Sequence, residues 1–271
     1  MVNKIIDCFT FYNELKMLKF RLEYLYKHVD FFVLVEATLT HSGNPKELYY
    51  ENNKHLFEKY NDKIIHVIVK DLSPLEKTND SWVRENEQRN AIDRGIKIIE
   101  NRYGLDDTDI IFLSDLDEIP DRNIMTLIRP TGMNNNTRYQ LLQDHYWYNL
   151  NCLFGNKWDL ARIVNYHTYK NIFNRVLQDI RVKFLPTINT YHIQRGGWHF
   201  SWYGDADFII NKIKNFAHQE FNNEKYLNKE ILNNYIKNNI SFVEPNKLHG
   251  GTKYISFEEN NYLPHNYEML L

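Results

Sequence analysis

The sequence predicts an α/β protein with a mostly parallel central sheet flanked by helices, on two observations. Four short β-rich runs occupy residues 4–10, 31–35, 63–69 and 109–113, and helix-like segments fall between them. Alternation of strand and helix gives parallel strands joined by crossovers, with both faces of the sheet covered. Such sheets bind ligands in the crevice outside the carboxyl ends of their strands, so the segment following each run is where function is sought.

The first helix is the clearest element. Leu15, Leu18, Leu22, Leu25 and Val29 recur at steps of three and four and form one apolar stripe. A second helix is expected over about 51–60 and a third over 81–100, with Ser81 or Asp80 as its N-cap. The second half is less regular: aromatic stretches 139–154 and 187–203 read as strands and loops, 205–218 and 225–238 as helices, and the tail beyond Gly250 as irregular packing. The 271 residues are expected to form a single domain.

With 43% hydrophobic and 15% aromatic residues, the chain can bury a sizeable core. Its 33 basic and 35 acidic side chains leave a net charge of −2. That balance excludes the broad positive field of a nucleic-acid or anionic-membrane binder and makes any phosphate recognition local. Cys8 and Cys152 lie far apart among apolar or aromatic neighbours and are expected as buried free thiols. Residues 1–8 carry no basic leader followed by a long apolar run, and no stretch approaches the ~20 apolar residues of a membrane span. A soluble, cytoplasmic protein is expected.

The most informative segment is Asp109-Ile-Ile-Phe-Leu-Ser-Asp-Leu-Asp-Glu-Ile-Pro-Asp121, an apolar strand that stops abruptly in Asp115, Asp117 and Glu118. Residues two apart at a strand end point to the same side, so Asp115 and Asp117 are expected to converge while Leu116 faces the core. Two carboxylates aimed at one point repel unless a cation joins them. Mg²⁺ and Mn²⁺ take oxygen ligands and are commonly completed by substrate phosphates. Such an ion neutralises the charge that builds on a departing diphosphate. The plainer reading is that the pair caps a helix near 121–128, a job for which Asp121 is better placed.

Five segments, Asp7-Cys-Phe-Thr-Phe-Tyr-Asn-Glu14, Val35-Glu-Ala-Thr-Leu-Thr-His-Ser-Gly43, Trp82-Val-Arg-Glu-Asn-Glu-Gln-Arg-Asn90, Ser114-Asp-Leu-Asp-Glu-Ile-Pro120 and Gly197-Trp-His-Phe-Ser-Trp202, resemble in the same order the glycosyltransferases of family 17. The resemblance covers most of the chain from Lys4 to about Asp207. It implies a GT-A-like fold, an inverting mechanism, UDP-N-acetylglucosamine as donor, a glycan hydroxyl as acceptor and a divalent metal. It also divides the chain into a nucleotide-sugar-binding half, residues 1–130, and an acceptor-side half with C-terminal helices, residues 131–271. Animal members are anchored in the Golgi membrane. The lack of such an anchor here points to a compact enzyme of bacterial or viral type acting on another glycan.

Roles follow residue by residue. Asp115 and Asp117 are the expected metal ligands, and Asp115 is also placed on the donor diphosphate. His199 is expected to complete the shell, with His249 in reserve, and an imidazole beside two carboxylates favours Mn²⁺ over Mg²⁺. Glu36, after the second strand, is expected either to accept from the ribose or uracil or to brace its own loop; His41 is expected as a loop hydrogen-bonder. Arg84, Arg89 and Asn90 on the third helix are candidates for the diphosphate, guanidinium being suited to bidentate phosphate contacts. Trp198 and Trp202 can offer apolar faces to sugar rings or simply fill the core. Asp205 and Asp207 are the candidates for the base that takes the acceptor proton, with Glu118 and Asp144 as alternatives. Two other readings stay open: a non-catalytic nucleotide-sugar or glycan-binding protein on the same scaffold, and a metal-dependent phosphohydrolase.

Overall fold

The computed structural model describes residues 2–243 and 251–271. The first half runs β1 (Ile5–Phe11), α1 (Leu15–Leu25), β2 (Phe31–Ala37), α2 (Tyr49–Asn52), a 3-10 segment Lys54–Tyr60, β3 (Ile64–Val69), α3 (Ser81–Asn90), α4 (Ile92–Tyr103), β4 (Ile110–Leu113), β5 (Glu118–Pro120) and α5 (Arg122–Thr131). The second half runs β6 (Thr137–Leu141), β7 (Asp144–Trp147), β8 (Cys152–Phe154), β9 (Arg162–Asn165), α6 (Tyr166–Asn171), α7 (Leu177–Val182), β10 (Asn189–Ile193), β11 (Gly197–Ser201), α8 (Ala206–Asn215), α9 (Lys229–Lys237) and β12 (Thr252–Tyr254).

Among the described residues the strands form two sheets, ordered β10-β6-β9-β4-β1-β2-β3 and β12-β8-β7-β11-β5. In the larger sheet only β9 runs against the rest, so the expected parallel sheet is present with one reversed strand. Its two faces are packed by alternate residues of the same strands. Ile5, Phe9, Phe32, Leu34 and Phe112 meet Leu18, Leu22 and Leu25 of α1 on one side. Ile6, Cys8, Val33, Val35 and Leu113 meet Ile92, Ile96 and Ile99 of α4 and Leu177 and Ile180 of α7 on the other. A third cluster fills the space between the smaller sheet and α8–α9 around Trp147, Trp202, Ile209 and Leu232.

The helix expected over 81–100 is broken at Ala91 into α3 and α4, and Asp80 caps it by accepting from Trp82 N. The segment expected as a helix over 51–60 is mostly 3-10. Both cysteines are buried and free, as expected. No helix among the described residues is long and apolar enough to cross a membrane.

The strand order places the site. From β1 the chain moves outward to β2 and β3, then returns across the opposite face to lay β4 on the other side of β1. The crevice between the carboxyl ends of β1 and β4 is therefore a topological switch point, where open α/β sheets take ligands. Tyr12–Glu14 leave one side of it and Ser114–Asp117 the other.

Candidate active site

The turn that carries the two aspartates is held from beneath. β4 ends at Leu113, and Glu118 N donates to Asp115 O at 3.1 Å. Arg21 of α1, wholly buried, forks onto Asp7 of β1 at 2.6 and 2.8 Å. Its remaining donors reach the carbonyls of Asp115, Leu116 and Glu118 at 2.8, 3.1 and 3.1 Å and Ser114 Oγ at 2.7 Å. Because Asp7 matches the charge, the guanidinium can fix these carbonyls without being left as an unpaired buried ion.

A second strand brings in the histidine. β5 pairs antiparallel with β11, setting His199 opposite Glu118 and Gly197 opposite Pro120, and Phe200 N donates to Asp117 O at 2.8 Å. The approach requires glycine at 197, where φ is +119° and a Cβ would stand 2.1 Å from Ile119 O. Parallel pairing of β11 with β7 sets His145 opposite His199; the rings stack with centroids 4.6 Å apart, and the Trp158 ring lies 4.2 Å from His199.

The two aspartates answer to different cations. Asp115 accepts from Arg89 at 3.0 Å on one oxygen and from Arg181 at 2.7 Å on the other. Arg181 also forks onto Glu118 at 2.5 and 2.8 Å. Asp117 Oδ2 accepts from Lys212 Nζ at 3.0 Å, while Oδ1 faces His199 Nε2 at 3.6 Å. Burial pushes the Asp115 carboxyl up, but the Arg181 and Arg89 guanidiniums outweigh it and hold it at about 2. For Asp117 burial is likewise outweighed, by Lys212 and His199, and the carboxyl is pulled far below its ordinary range. Burial would lower the Lys212 ammonium, and Asp117 and Glu14 raise it instead. Strand alternation stops with β4; in the turn beyond it Asp115 and Asp117 both line the same cleft, each held by its own cations. Leu116 between them is buried, as expected.

Two of the three expected metal ligands suit a divalent cation. Asp117 Oδ1 and His199 Nε2, 3.6 Å apart, can both reach one ion at ordinary ligand distances of ~2.0–2.2 Å. His199 Nδ1 is buried with no hydrogen-bond partner among the described residues. Asp115 has a guanidinium on each of its oxygens. Among the described residues no three His, Cys, Asp or Glu side chains form a metal group. A cation here would draw its remaining ligands from substrate or water, as Mg²⁺-type sites commonly do. His249 lies outside the described residues.

These groups line a cleft of ≈ 470 Å³ at the switch point, walled by Thr10–Tyr12, the loop 39–41, Arg89, Asp115, Asp117, Trp158, Arg181, His199, Trp202 and Lys212. Its walls carry four carboxylates (Glu14, Glu85, Asp115, Asp117) and four cations (Lys46, Arg89, Arg181, Lys212), so charge in the cleft is locally paired.

The other expected site residues are placed elsewhere. Glu36 is fully buried and accepts from Tyr50 N at 3.0 Å and Glu51 N at 3.4 Å, bracing its loop. Arg84 spends its donors on the carbonyls of His41 and Thr78 at 2.6 and 2.8 Å. Asn90 accepts from Gln178 N at 3.0 Å and, with Arg89 on Gln178 Oε1 at 2.6 Å, clamps α7 against α3. Trp198 is core, its indole donating to Tyr262 O at 2.7 Å. Asp205 caps α8, accepting from Phe208 N at 2.8 Å, and Asp207 faces Lys229 on the surface at 2.6 Å. Glu118 is locked by Arg181, and Asp144 is paired with Lys157. His41 bonds out of its loop to α3, its Nε2 standing 2.8 Å from Gln88 Oε1.

Sequence reasoning missed Arg181, Lys212, Trp158 and Glu14. Arg181 had a signal: Val176, Leu177 and Ile180 repeat at helical spacing and leave Gln178 and Arg181, three apart, on the other face. Lys212 sits on an amphipathic helix where a lysine reads as solvated.

No curated protein matches the chain. The sequence model of glycosyltransferase family 17 matches residues 1–244, a span that contains the Asp115–Asp117 turn, α7, β11 and α8. With that match over most of its length, the chain belongs to glycosyltransferase family 17.

Proposed function

We propose that the protein is an inverting, metal-dependent transferase of GT-A type that moves N-acetylglucosamine from UDP-N-acetylglucosamine to a hydroxyl of a glycan. The observation that carries this reading is the meeting of Asp117 with His199 and Lys212 at the switch point, beside Asp115 with its two guanidiniums. A nucleoside diphosphate needs positive charge that is fixed in place before it arrives, and Arg89, Arg181 and Lys212 supply it from three different helices. The uridine lies over the ends of β1 and β2, along Thr10–Tyr12 and His41; the diphosphate lies against Lys212 and the Arg181 edge. Asp117 and His199 are the residues that would hold a divalent metal, Mn²⁺ favoured over Mg²⁺, which would neutralise charge on the departing diphosphate. The chain's own part is to orient and dehydrate: the Trp158, His199 and Trp202 rings exclude water from one wall and present flat faces to the sugar.

The test is coupled product release. Purified protein with UDP-N-acetylglucosamine and Mn²⁺ should release UDP in proportion to an added sugar acceptor, with the acceptor gaining one N-acetylhexosamine by mass. UDP release that ignores the acceptor would instead identify a hydrolase.

A further inference from the structure

A second cavity, ≈ 330 Å³, lies on the far side of Asp117 and Lys212, and Glu14, Asp117 and Lys212 belong to the walls of both spaces. Resting on the transferase reading above, we infer that this second cavity holds the acceptor sugar and that Glu14 takes the proton of the attacking hydroxyl.

An inverting transfer is a single displacement. The incoming oxygen and the departing diphosphate occupy opposite faces of the anomeric carbon, so the acceptor arrives from a space other than the one that holds the diphosphate. The base then stands where the two spaces meet. Three side chains stand there, and two are committed: Lys212 is a cation, and Asp117 has one oxygen on Lys212 and the other toward His199. Glu14 alone has capacity left. One of its oxygens accepts from Asn13 N at 3.1 Å; the other stands 3.8 Å from Lys212 Nζ, beyond hydrogen-bond reach. Glu14 occupies the N-cap position of α1 without a side-chain cap hydrogen bond, so its second oxygen is not spent on the helix backbone.

The cavity wall indicates the class of acceptor. Tyr203 and Phe208 form an apolar side, while Asp205 and Asn13, whose Oδ1 is buried without a partner among the described residues, add acceptors for hydroxyl donors. Flat apolar surface facing hydroxyl acceptors suits a neutral sugar ring. The volume is at the low end of the ~300–1000 Å³ typical of small-ligand cavities, which fits the terminal sugar of a glycan and not a folded polypeptide. In the reaction the acceptor O–H proton passes to a Glu14 oxygen as that oxygen atom of the acceptor bonds to the anomeric carbon. The bond from the anomeric carbon to the β-phosphate oxygen breaks, and the electron pair leaves with UDP. The proton on Glu14 is then lost to solvent.

The test uses the full chain with Mn²⁺, UDP-N-acetylglucosamine and p-nitrophenyl mannoside, galactoside and N-acetylglucosaminide as acceptors. Glu14→Gln should bind the donor within about twofold of wild type yet lose ~10²–10⁴-fold in kcat and the acidic limb of the pH profile, with Glu14→Asp restoring part of the rate. Tyr203→Ala should raise the acceptor KM without changing donor affinity. Turnover by Glu14→Gln within threefold of wild type overturns the inference, and so does a loss of donor binding as large as the loss of turnover. An unchanged acceptor KM in Tyr203→Ala removes the cavity from the assignment. Wild-type protein that neither binds the donor nor transfers to any acceptor refutes the transferase reading itself, and this inference falls with it.

Discussion

His199 Nε2 faces Asp117 Oδ1 at 3.6 Å across the join between β11 and the turn after β4. The separation is too long for a strong hydrogen bond and short enough for both atoms to share one cation. It exists because β11 pairs with β5 in a register that sets His199 beside Glu118, one residue from Asp117. A strand pairing, and not proximity in sequence, builds the site.

In the proposed mechanism Asp117 is the residue on which donor chemistry turns. Asp117→Ala should cost on the order of 10²-fold or more in transfer rate, as removal of one preorganised electrostatic group does elsewhere. Initial rates of UDP release measure it. Rates equal to wild type would take Asp117 out of the mechanism.

Gly197 is expected to tolerate no side chain. At φ +119°, with Ile119 O 2.1 Å from the position of a Cβ, Gly197→Ala must push β11 off β5. The cost should be about 2 kcal/mol or more in urea unfolding, together with loss of activity because His199 moves with its strand.

Arg181 pairs with the buried Glu118 and the half-buried Asp115 at once, so Arg181→Met should destabilise the fold by ~3–5 kcal/mol, chiefly through the unpaired charge left on Glu118. Arg181→Lys should not rescue it fully, since an ammonium cannot fork onto Glu118 as the guanidinium does. Denaturant midpoints of the two variants decide the point.

Acid should weaken the metal-free protein over a defined range. The Asp115 carboxyl is held at about 2 in the fold, against ~3.9 in an unfolded chain. A depressed carboxylate stabilises above its unfolded value, and the stabilisation is lost as pH falls through the folded one. Stability in EDTA should therefore decline between about pH 4 and pH 2, and Asp115→Asn should flatten that decline. His145 adds an earlier slope: burial holds its imidazole neutral, so below ~6.5 the unfolded chain gains a proton that the fold refuses.

The parallel strands and α1 were legible because their signals are local: apolar runs, one helical stripe, and crossovers between. Asp115 and Asp117 were legible as a place, since an apolar strand ending in carboxylates at the switch edge has few structural uses. Their geometry was not. The turn begins one residue after the strand, at Ser114, and beyond that point side-chain direction is set by Arg21 reaching up from α1. Strand alternation does explain why only one of the neighbours Trp198 and His199 lies in the cleft: on β11 they face opposite sides. Asp205 and Asp207 were placed by their nearness to a helix start, and capping and a surface ion pair account for both. Arg181 and Lys212 come from short or amphipathic helices whose charges look solvated until tertiary packing turns them inward.

The most direct test of the central claim is calorimetric titration of UDP-N-acetylglucosamine into wild-type protein and His199→Phe, each with Mn²⁺ and with EDTA. The account predicts binding by the wild type in Mn²⁺, loss of most of that affinity in EDTA, and weak binding by the variant in both conditions. Equal affinity in Mn²⁺ and EDTA, unchanged in His199→Phe, would contradict it.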